Sequence, residues 1–174
     1  MPDYIYEYDQ KAIAYLSSKD KALGAAIAAI GPVEREVFPD LFTALVNSIV
    51  AQQISAKALE TIWSRMTEGL GAITPERICA IGADELQRFG ITMKKAVFIK
   101  EAASQVLAGH LDIDQLQHLD DDAIRTKLCA LNGVGAWTAE MLMIFSLQRP
   151  DILSWNDLAI HRGMRMLYRH RTIT

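Results

Sequence analysis

Apolar residues recur along much of the chain at the spacing of an α-helix. The clearest apolar face lies between residues 41 and 50 and consists of Leu41, Phe42, Leu45, Val46, Ile49 and Val50. The same reasoning predicts helices at residues 9–17, 20–30, 40–53, 56–68, 75–80, 83–88, 93–108, 120–130, 136–147 and 157–169. No segment keeps the strict apolar–polar alternation of a half-buried strand. The pattern therefore predicts an all-α, compact protein.

Residues at the predicted helix starts support these boundaries. Asp40 is a suitable N-cap for the helix that follows it, and Thr74 caps a helix that begins with Pro75. The chain has 174 residues and contains no internal repeat, low-complexity tract or long linker. Its length is enough for one sizeable hydrophobic core. We therefore predict a single domain over residues 1–174.

Composition points to an ordinary globular protein, with 51% hydrophobic residues. No apolar run approaches the roughly 20 residues that a membrane helix needs, and the N-terminus lacks the pattern of a secretory signal. We expect a monomer in the cytoplasm, with no membrane partner, as for a protein of the bacterial cytoplasm or nucleoid. Cys79 and Cys129 are expected to be small buried hydrophobic residues. The cysteines and histidines have neither zinc nor iron–sulfur spacing.

Charge changes this picture only through its distribution. The net charge of −3 argues mildly against a nucleic-acid-binding protein. Basic residues nevertheless gather in two segments, one from Lys94 to Lys100 and one that contains Arg149, Arg162, Arg165, Arg169 and Arg171. They could form one basic face on an acidic body, or they could be solvated charges on helix surfaces.

The most informative stretch runs from Cys129 to Gly163. Gly133 and Gly135 lie between two predicted helices, and glycines at this spacing favour a tight turn with exposed amides. A nearly all-apolar helix follows, and Asn156 and Asp157 then stand at the start of the next helical pattern. Amides that can face a phosphate, followed by a carboxylate at a helix start, suggest work on nucleic acid.

Two motifs in this stretch carry a family resemblance. The sequence LNGVGAWTAEMLM resembles the helix-hairpin-helix of the DNA glycosylase superfamily that carries a Gly-Pro-Asp loop, with the hairpin at about residues 129–137. The sequence SWNDLAIHRG resembles the catalytic loop of that family, here at about residues 149–163, and places Asp157 at the position of the catalytic aspartate. IVAQQIS, at residues 49–55, is similar to the IxxQQxS signature of the branch that resembles 3-methyladenine DNA glycosylase II.

The resemblance implies an N-glycosyl hydrolase of base excision repair that flips out a damaged base of double-stranded DNA and leaves an abasic site. Positive charge builds on the deoxyribose as the base departs, and one carboxylate can stabilise it and orient water. Asp157 is the candidate. Its alternative role is that of an N-cap, a role that Asn156 or Ser154 could take instead.

Trp137 indicates the reaction type within the superfamily. Bifunctional glycosylase/lyases carry a lysine at this place, so the resemblance implies a monofunctional enzyme. Alkylated purines such as 3-methyladenine and 7-methylguanine are cationic and can be held by electron-rich rings. The residues expected at the base pocket are Trp137, Met141, Gln52, Gln53, Phe42 and Trp155.

The resemblance also implies a DNA-binding surface. Its expected members are Met93, Lys94, Lys95, Gly133, Gly135, Ala136, Thr138 and Arg162. Met93 is either a core residue or a wedge that enters the duplex beside two lysines. No cofactor is required, but the backbone carbonyls of Cys129, Leu131 and Val134 match those that hold a sodium or potassium ion in the family.

Other functions remain open from the sequence alone. They are a bifunctional glycosylase/lyase, a non-catalytic DNA-binding hairpin module, and a helical protein that binds a partner protein. The best-known 3-methyladenine glycosylase II carries an N-terminal β-rich domain, and relatives continue beyond the aspartate helix into an aromatic-rich helix that covers the pocket. This sequence has neither, so it is expected to be a core-only form that is either truncated or has another pocket wall.

Overall fold

The apolar face predicted at residues 41–50 becomes the centre of the structure, a computed structural model that describes residues 4–171. The helices in that range are α1 (Gln10–Lys19), α2 (Lys21–Ile30), α3 (Leu41–Ala51), α4 (Ala56–Leu70), α5 (Pro75–Ala80), α6 (Ala83–Arg88), α7 (Met93–Leu107), α8 (Ile113–Leu116), α9 (Asp121–Cys129), α10 (Ala136–Phe145) and α11 (Leu158–Tyr168). Between residues 4 and 171 the β structure is limited to one isolated bridge, which joins Ile5 and Glu36. The all-α prediction is confirmed.

Helix α3 is buried on most of its surface. Val46, Ile49 and Val50 have no exposed area, and α4, α7 and α10 pack around them. Side chains of this kind each contribute about 1.5–3 kcal/mol when they are fully buried. Among the described residues, no helix is both long enough and apolar enough to span a membrane.

The predicted helix boundaries agree with the structure to within a few residues. The Asp40 carboxylate accepts the Thr43 amide N–H at 2.6 Å, and the Thr74 hydroxyl accepts that of Arg77 at 3.4 Å. Helix α8 was not predicted, because its four residues are too few to show a period. Its signal was the N-cap Asp112, whose carboxylate accepts the Gln115 amide N–H at 3.0 Å.

Several basic residues that the sequence placed on a basic face instead cap helix ends. The Lys95 ammonium donates to the carbonyls of Val50, at 2.8 Å, and Gln52, at 2.6 Å, at the C-terminus of α3. Lys100 likewise donates to carbonyls in the last turn of α5 and just after it, and Arg149 donates to carbonyls that follow α8. Carbonyls at a helix C-terminus lack intrahelical donors and carry partial negative charge, so cations stabilise them. The predicted basic face is therefore smaller than the sequence suggested.

Cys129 does not follow its prediction. It is exposed, whereas Cys79 is partly buried against the core. Helix α9 buries Ile124 and Leu128, which are four residues apart, and position 129 therefore turns away from the core.

The hairpin between α9 and α10 is held tightly by its neighbours. Gly133 has a φ of +85°, and a Cβ atom there would lie only 2.4 Å from the Phe98 ring. The Gln52 side-chain amide donates to the Gly133 carbonyl at 2.7 Å. Gly133 is thus required both by its backbone conformation and by the close approach of α7.

We predict that Gly133→Ala lowers the free energy of unfolding by about 2–4 kcal/mol, because it combines a positive φ with a steric overlap. Urea denaturation monitored by circular dichroism measures this change. Gly135→Ala is the matched control, since Gly135 has a φ of −90° and open space at its Cβ position. A loss of equal size in both variants would contradict the proposed role of the Phe98 contact.

Candidate active site

Asp157 lies at the N-cap of α11 and uses its two carboxylate oxygens differently. Oδ1 accepts the amide N–H of Ala159 at 2.6 Å, and Oδ2 accepts the indole N–H of Trp137 at 2.8 Å. The Trp137 indole lowers the pKa of the Asp157 carboxyl below its ordinary value of 3.8, with further help from the α11 amides and His161. The carboxylate is therefore ionised near neutral pH.

The catalytic role and the capping role of Asp157 are compatible in this geometry. A carboxylate offers about four lone-pair directions, and the two described bonds leave acceptor capacity on both oxygens. Neither alternative residue is the cap, because the carboxylate of Asp157 itself accepts the Ala159 amide N–H and the Ser154 hydroxyl donates to Glu140.

Trp137 connects the hairpin to this carboxylate. It is the second residue of α10, directly after the turn that contains Gly133 and Gly135, and 49% of it is exposed. The N-cap of α10 is Gly135, which has no side chain to accept the amides of the first turn. The start of α10 therefore presents both backbone donors and one half-exposed indole ring.

A cavity of about 550 Å³ opens beside α10, one turn beyond Trp137. Met141, Phe145 and Phe38 supply apolar walls, and the remaining lining residues are Glu34, Arg35, Glu36, Ala44, Asn47, Ser48 and Ser146. The volume lies in the range usual for sites that bind small molecules or single bases.

The residues predicted for the base pocket do not gather in one place. Trp137 and Trp155 lie near Asp157, where the Trp155 ring meets the His161 ring edge-on at 5.3 Å, and Met141 lines the cavity. Phe42 is only 2% exposed and belongs to the core, because it lies on the buried face of α3. The structure therefore contradicts the prediction that Phe42 lines the base pocket.

Gln52 and Gln53 lie on the hairpin side of α3 instead. Together with Lys94, Phe98 and Gly133 they line a second cavity of about 370 Å³. Gln53 has a φ of +57°, which is uncommon for a residue other than glycine and is often associated with functional sites.

The predicted DNA-binding residues fall into two groups. Met93 is 36% exposed at the first position of α7, so it is not a core residue, and the Lys94 ammonium lies 5.6 Å from the centroid of the Phe98 ring. Gly135, Ala136 and Arg162 are exposed, and Gly133 is partly exposed. Lys95 and Thr138 differ from the prediction, since the Lys95 ammonium is held by α3 and the Thr138 side chain is buried.

The hairpin carbonyls provide a donor set of oxygen atoms alone, which suits a hard cation. The Leu131 carbonyl also accepts the Val134 amide N–H at 3.1 Å, which closes the turn. Among residues 4–171, no three His, Cys, Asp or Glu side chains come together as a possible metal site. The cation predicted at Cys129, Leu131 and Val134 stays a prediction.

Comparison with known proteins agrees with this geometry. The sequence model of the family described as "HhH-GPD superfamily base excision DNA repair protein" matches residues 46–174. The match covers the hairpin, α10 and the Asp157 loop. The chain belongs to the HhH-GPD superfamily.

Similar proteins within the superfamily are named for alkylation repair. DNA-3-methyladenine glycosylase 1 of Schizosaccharomyces pombe is 27% identical over 166 residues, which cover 91% of this chain and 73% of that protein. The crystal structure of a DNA-3-methyladenine glycosidase from Bacillus halodurans is 33% identical, with a TM-score of 0.86 over 94% of this chain and 76% of the other.

A second similar structure contains DNA. The 3-methyladenine DNA glycosylase of S. pombe in complex with abasic DNA is 26% identical, with a TM-score of 0.79 over 95% of this chain and 84% of the other. Several further relatives are longer, and the chain spans less than half the length of each.

Sequence reasoning named Asp157 and Trp137 as candidate site residues but missed the bond that joins them. Trp137 was expected to hold a base, and nothing in the spacing of 20 residues indicated that its indole N–H would reach Asp157. The available signal was chemical: a tryptophan at a helix start is half-exposed, and its N–H needs an acceptor.

We predict that Trp137→Phe raises the pKa of the Asp157 carboxyl towards its ordinary value, because phenylalanine cannot donate the bond that lowers it. A carboxyl with a lowered pKa stabilises the fold above its unfolded-state pKa, and this contribution is lost as the pH falls through the folded-state pKa. The variant should therefore lose this contribution at a higher pH than the wild type. Carbon-13 NMR titration of the Asp157 carboxyl measures the shift, and an unchanged pKa would refute the prediction.

Trp155→Phe is the matched control for this titration. The Trp155 ring contacts His161 and makes no described hydrogen bond to Asp157. Its substitution should leave the pKa of the Asp157 carboxyl close to that of the wild type.

We predict that substitutions of two adjacent lysines affect different properties, protein stability for Lys95 and duplex binding for Lys94. Lys95→Met should lower the free energy of unfolding by about 1.5–3 kcal/mol, because it leaves two carbonyls of α3 without their charged donor. Lys94→Met should change the free energy of unfolding by less than about 0.5 kcal/mol. If the Lys94 ammonium contacts one phosphate, the substitution should reduce the slope of the logarithm of the duplex-binding constant against the logarithm of the salt concentration by about 0.9. Urea denaturation and fluorescence anisotropy at several salt concentrations separate the two, and an unchanged salt slope for Lys94→Met would remove it from the DNA surface.

Proposed function

We propose that this chain is a monofunctional DNA glycosylase of base excision repair that releases alkylated purines and leaves an abasic site. The observation that carries the proposal is the 2.8 Å hydrogen bond that joins the Asp157 carboxylate, at the start of α11, to the Trp137 indole, at the start of the hairpin helix. The family match and the names of the similar proteins support the same activity.

The carboxylate suits the charge that develops in the reaction. As the N-glycosidic bond lengthens, positive charge appears on the deoxyribose, and an ionised Asp157 stabilises it electrostatically. The remaining lone pairs of the same carboxylate can orient an attacking water molecule. Before this step the damaged base must leave the duplex stack, at a cost of a few kcal/mol that is smaller for a weakened base pair.

The side chains at the site favour hydrolysis over a lyase reaction. Trp137 stands at the position where the bifunctional branch carries its lysine, and an indole has no amine to form a Schiff base. Lys95 lies two residues after Met93, the predicted wedge, and its ammonium caps the C-terminus of α3.

The cavity beside Met141 supports a cationic base as the substrate. Its apolar walls suit a planar ring, and its lining residues include two acidic residues, Glu34 and Glu36, and one basic residue, Arg35. The excess of negative charge favours bases made cationic by alkylation, such as 3-methyladenine and 7-methylguanine, over neutral bases.

The partner of this site is double-stranded DNA. Exposed Met93 is suited to fill the gap left by a flipped base, and Lys94 and the free amides at the start of α10 are suited to phosphates. The carbonyls of Cys129, Leu131 and Val134 would hold a monovalent cation, which when bound supplies positive charge opposite a phosphate.

We predict that Asp157→Asn lowers the single-turnover rate of base release from methylated duplex DNA by at least about 100-fold, because the charge is lost. Asparagine caps helices as well as aspartate does, so the fold should persist. Released 3-methyladenine and 7-methylguanine are measured by chromatography, beside duplex binding by anisotropy.

Asp151→Asn is the control, an exposed aspartate of the same loop, and it should keep the wild-type rate. Binding by the wild type without base release would reject the glycosylase and favour a DNA-binding module. Release that survives Asp157→Asn would show that another group carries the reaction. A covalent adduct trapped by borohydride would favour the lyase.

A further inference from the structure

A buried carboxylate lies behind the site and takes no part in the chemistry described above. Glu140, in the middle of α10, is only 9% exposed. Its Oε2 atom accepts the hydroxyl of Ser154, which is 3% exposed, at a distance of 2.6 Å. Burying a carboxylate is costly unless a specific interaction compensates for it.

Arg125, the charged neighbour of Glu140, compensates only in part for the cost of burying the Glu140 carboxylate. The Arg125 Nε atom lies 3.9 Å from Glu140 Oε1, which is beyond hydrogen-bond distance, and the Arg125 Nη1 atom is 2.8 Å from Asp122. The short bond to Glu140 therefore comes from the Ser154 hydroxyl. Stability alone gives weak grounds for a carboxylate at this position, since an apolar residue of similar size would fill it without this cost.

Ser154 also makes a backbone hydrogen bond to Asp157, the candidate catalytic residue. The Ser154 backbone carbonyl accepts the amide N–H of Asp157 at 3.0 Å. The Asp157 carboxylate in turn accepts the indole N–H of Trp137. Trp137 and Glu140 are three residues apart on α10, so they project from neighbouring positions on one side of this helix.

These contacts form a closed ring that attaches the Asp157 loop to α10 at two points. One attachment is the bond from Ser154 to Glu140, and the other is the bond from Trp137 to Asp157. Without the first attachment, the segment of residues 154–157 could pivot about the second. A reacting group displaced by about 1 Å can lose about 100-fold in rate.

We propose that Glu140 is a positioning residue, which holds the Asp157 carboxylate in its reactive place through the hydroxyl of Ser154. The proposal rests on the proposed function, because it assigns Glu140 a part in the same reaction. Because Glu140 is buried, the proposal places its effect on the rate of the chemical step and not on the affinity for DNA.

The test uses the full chain with four substitutions. Ser154→Ala and Glu140→Ala each remove one side of the bond, and Glu140→Gln keeps an oxygen that can accept the Ser154 hydroxyl. Tyr168→Phe is the matched control, since it removes another 2.6 Å bond, to Asp20, at the opposite end of α11. Thermal unfolding of every variant shows whether it is folded at the assay temperature.

We expect Ser154→Ala and Glu140→Ala to lower the single-turnover rate of base release from methylated duplex about 10- to 100-fold, with duplex affinity within about threefold of the wild type. Glu140→Gln should recover most of the rate. Tyr168→Phe should lose stability but retain the wild-type rate. Unchanged rates in folded Ser154→Ala and Glu140→Ala would overturn the proposal, as would an equal loss in Tyr168→Phe.

An NMR measurement tests the positioning role of Glu140 independently of the proposed function. The indole N–H proton of Trp137 is observed by nitrogen-15 NMR, and Asp157→Asn together with Trp137→Phe identifies its resonance. Ser154→Ala and Glu140→Ala should move this resonance towards the position of an unbonded indole. If the wild type releases no base, the proposed function fails while this shift still tests the attachment, and an unmoved resonance would overturn the role of Glu140.

Discussion

The last carbonyl groups of a buried helix have no intrahelical donors, so other groups must donate hydrogen bonds to them. Helix α3 forms the centre of the core, and its C-terminus meets this requirement with Lys95 of α7. Gln52, directly after α3, extends the same polar junction by donating its side-chain amide to Gly133 of the hairpin. One requirement, that polar groups at the edge of an apolar core be satisfied, thus fixes α3, α7 and the hairpin relative to one another.

The candidate site is built outward from this junction. The hairpin sets the start of α10, and α10 presents Trp137 to the loop that ends at Asp157. The cap of α11 and the indole each use one oxygen of a single carboxylate, which fixes its orientation without exhausting its acceptor capacity. A site of this kind depends on side chains at the starts of two helices more than on any deep enclosure.

The sequence was sufficient for the fold class and most helix boundaries, because periodicity, caps and glycine turns are local signals. Asp157 was singled out by the family resemblance, and its catalytic role stays a prediction. It was misleading for Lys95, Lys100 and Arg149, whose charges suggested a surface although tertiary contacts turn them onto helix ends. It was also misleading for Phe42, since a one-dimensional pattern does not distinguish an aromatic core residue from one that lines a pocket. The ring through Glu140 and Ser154 had no sequence signal, because it joins residues that only the packing of the loop on α10 brings together.

The lowered pKa of the Asp157 carboxyl also limits what the site can do to a leaving group. A carboxylate that holds no proton near neutral pH has none to give, so it cannot assist departure as an acid. A neutral purine leaves as an anion unless something protonates it, whereas an alkylated, cationic purine departs as a neutral molecule. Under the proposed function, an ionised Asp157 therefore favours bases that depart without being protonated, even before the shape of the cavity is considered.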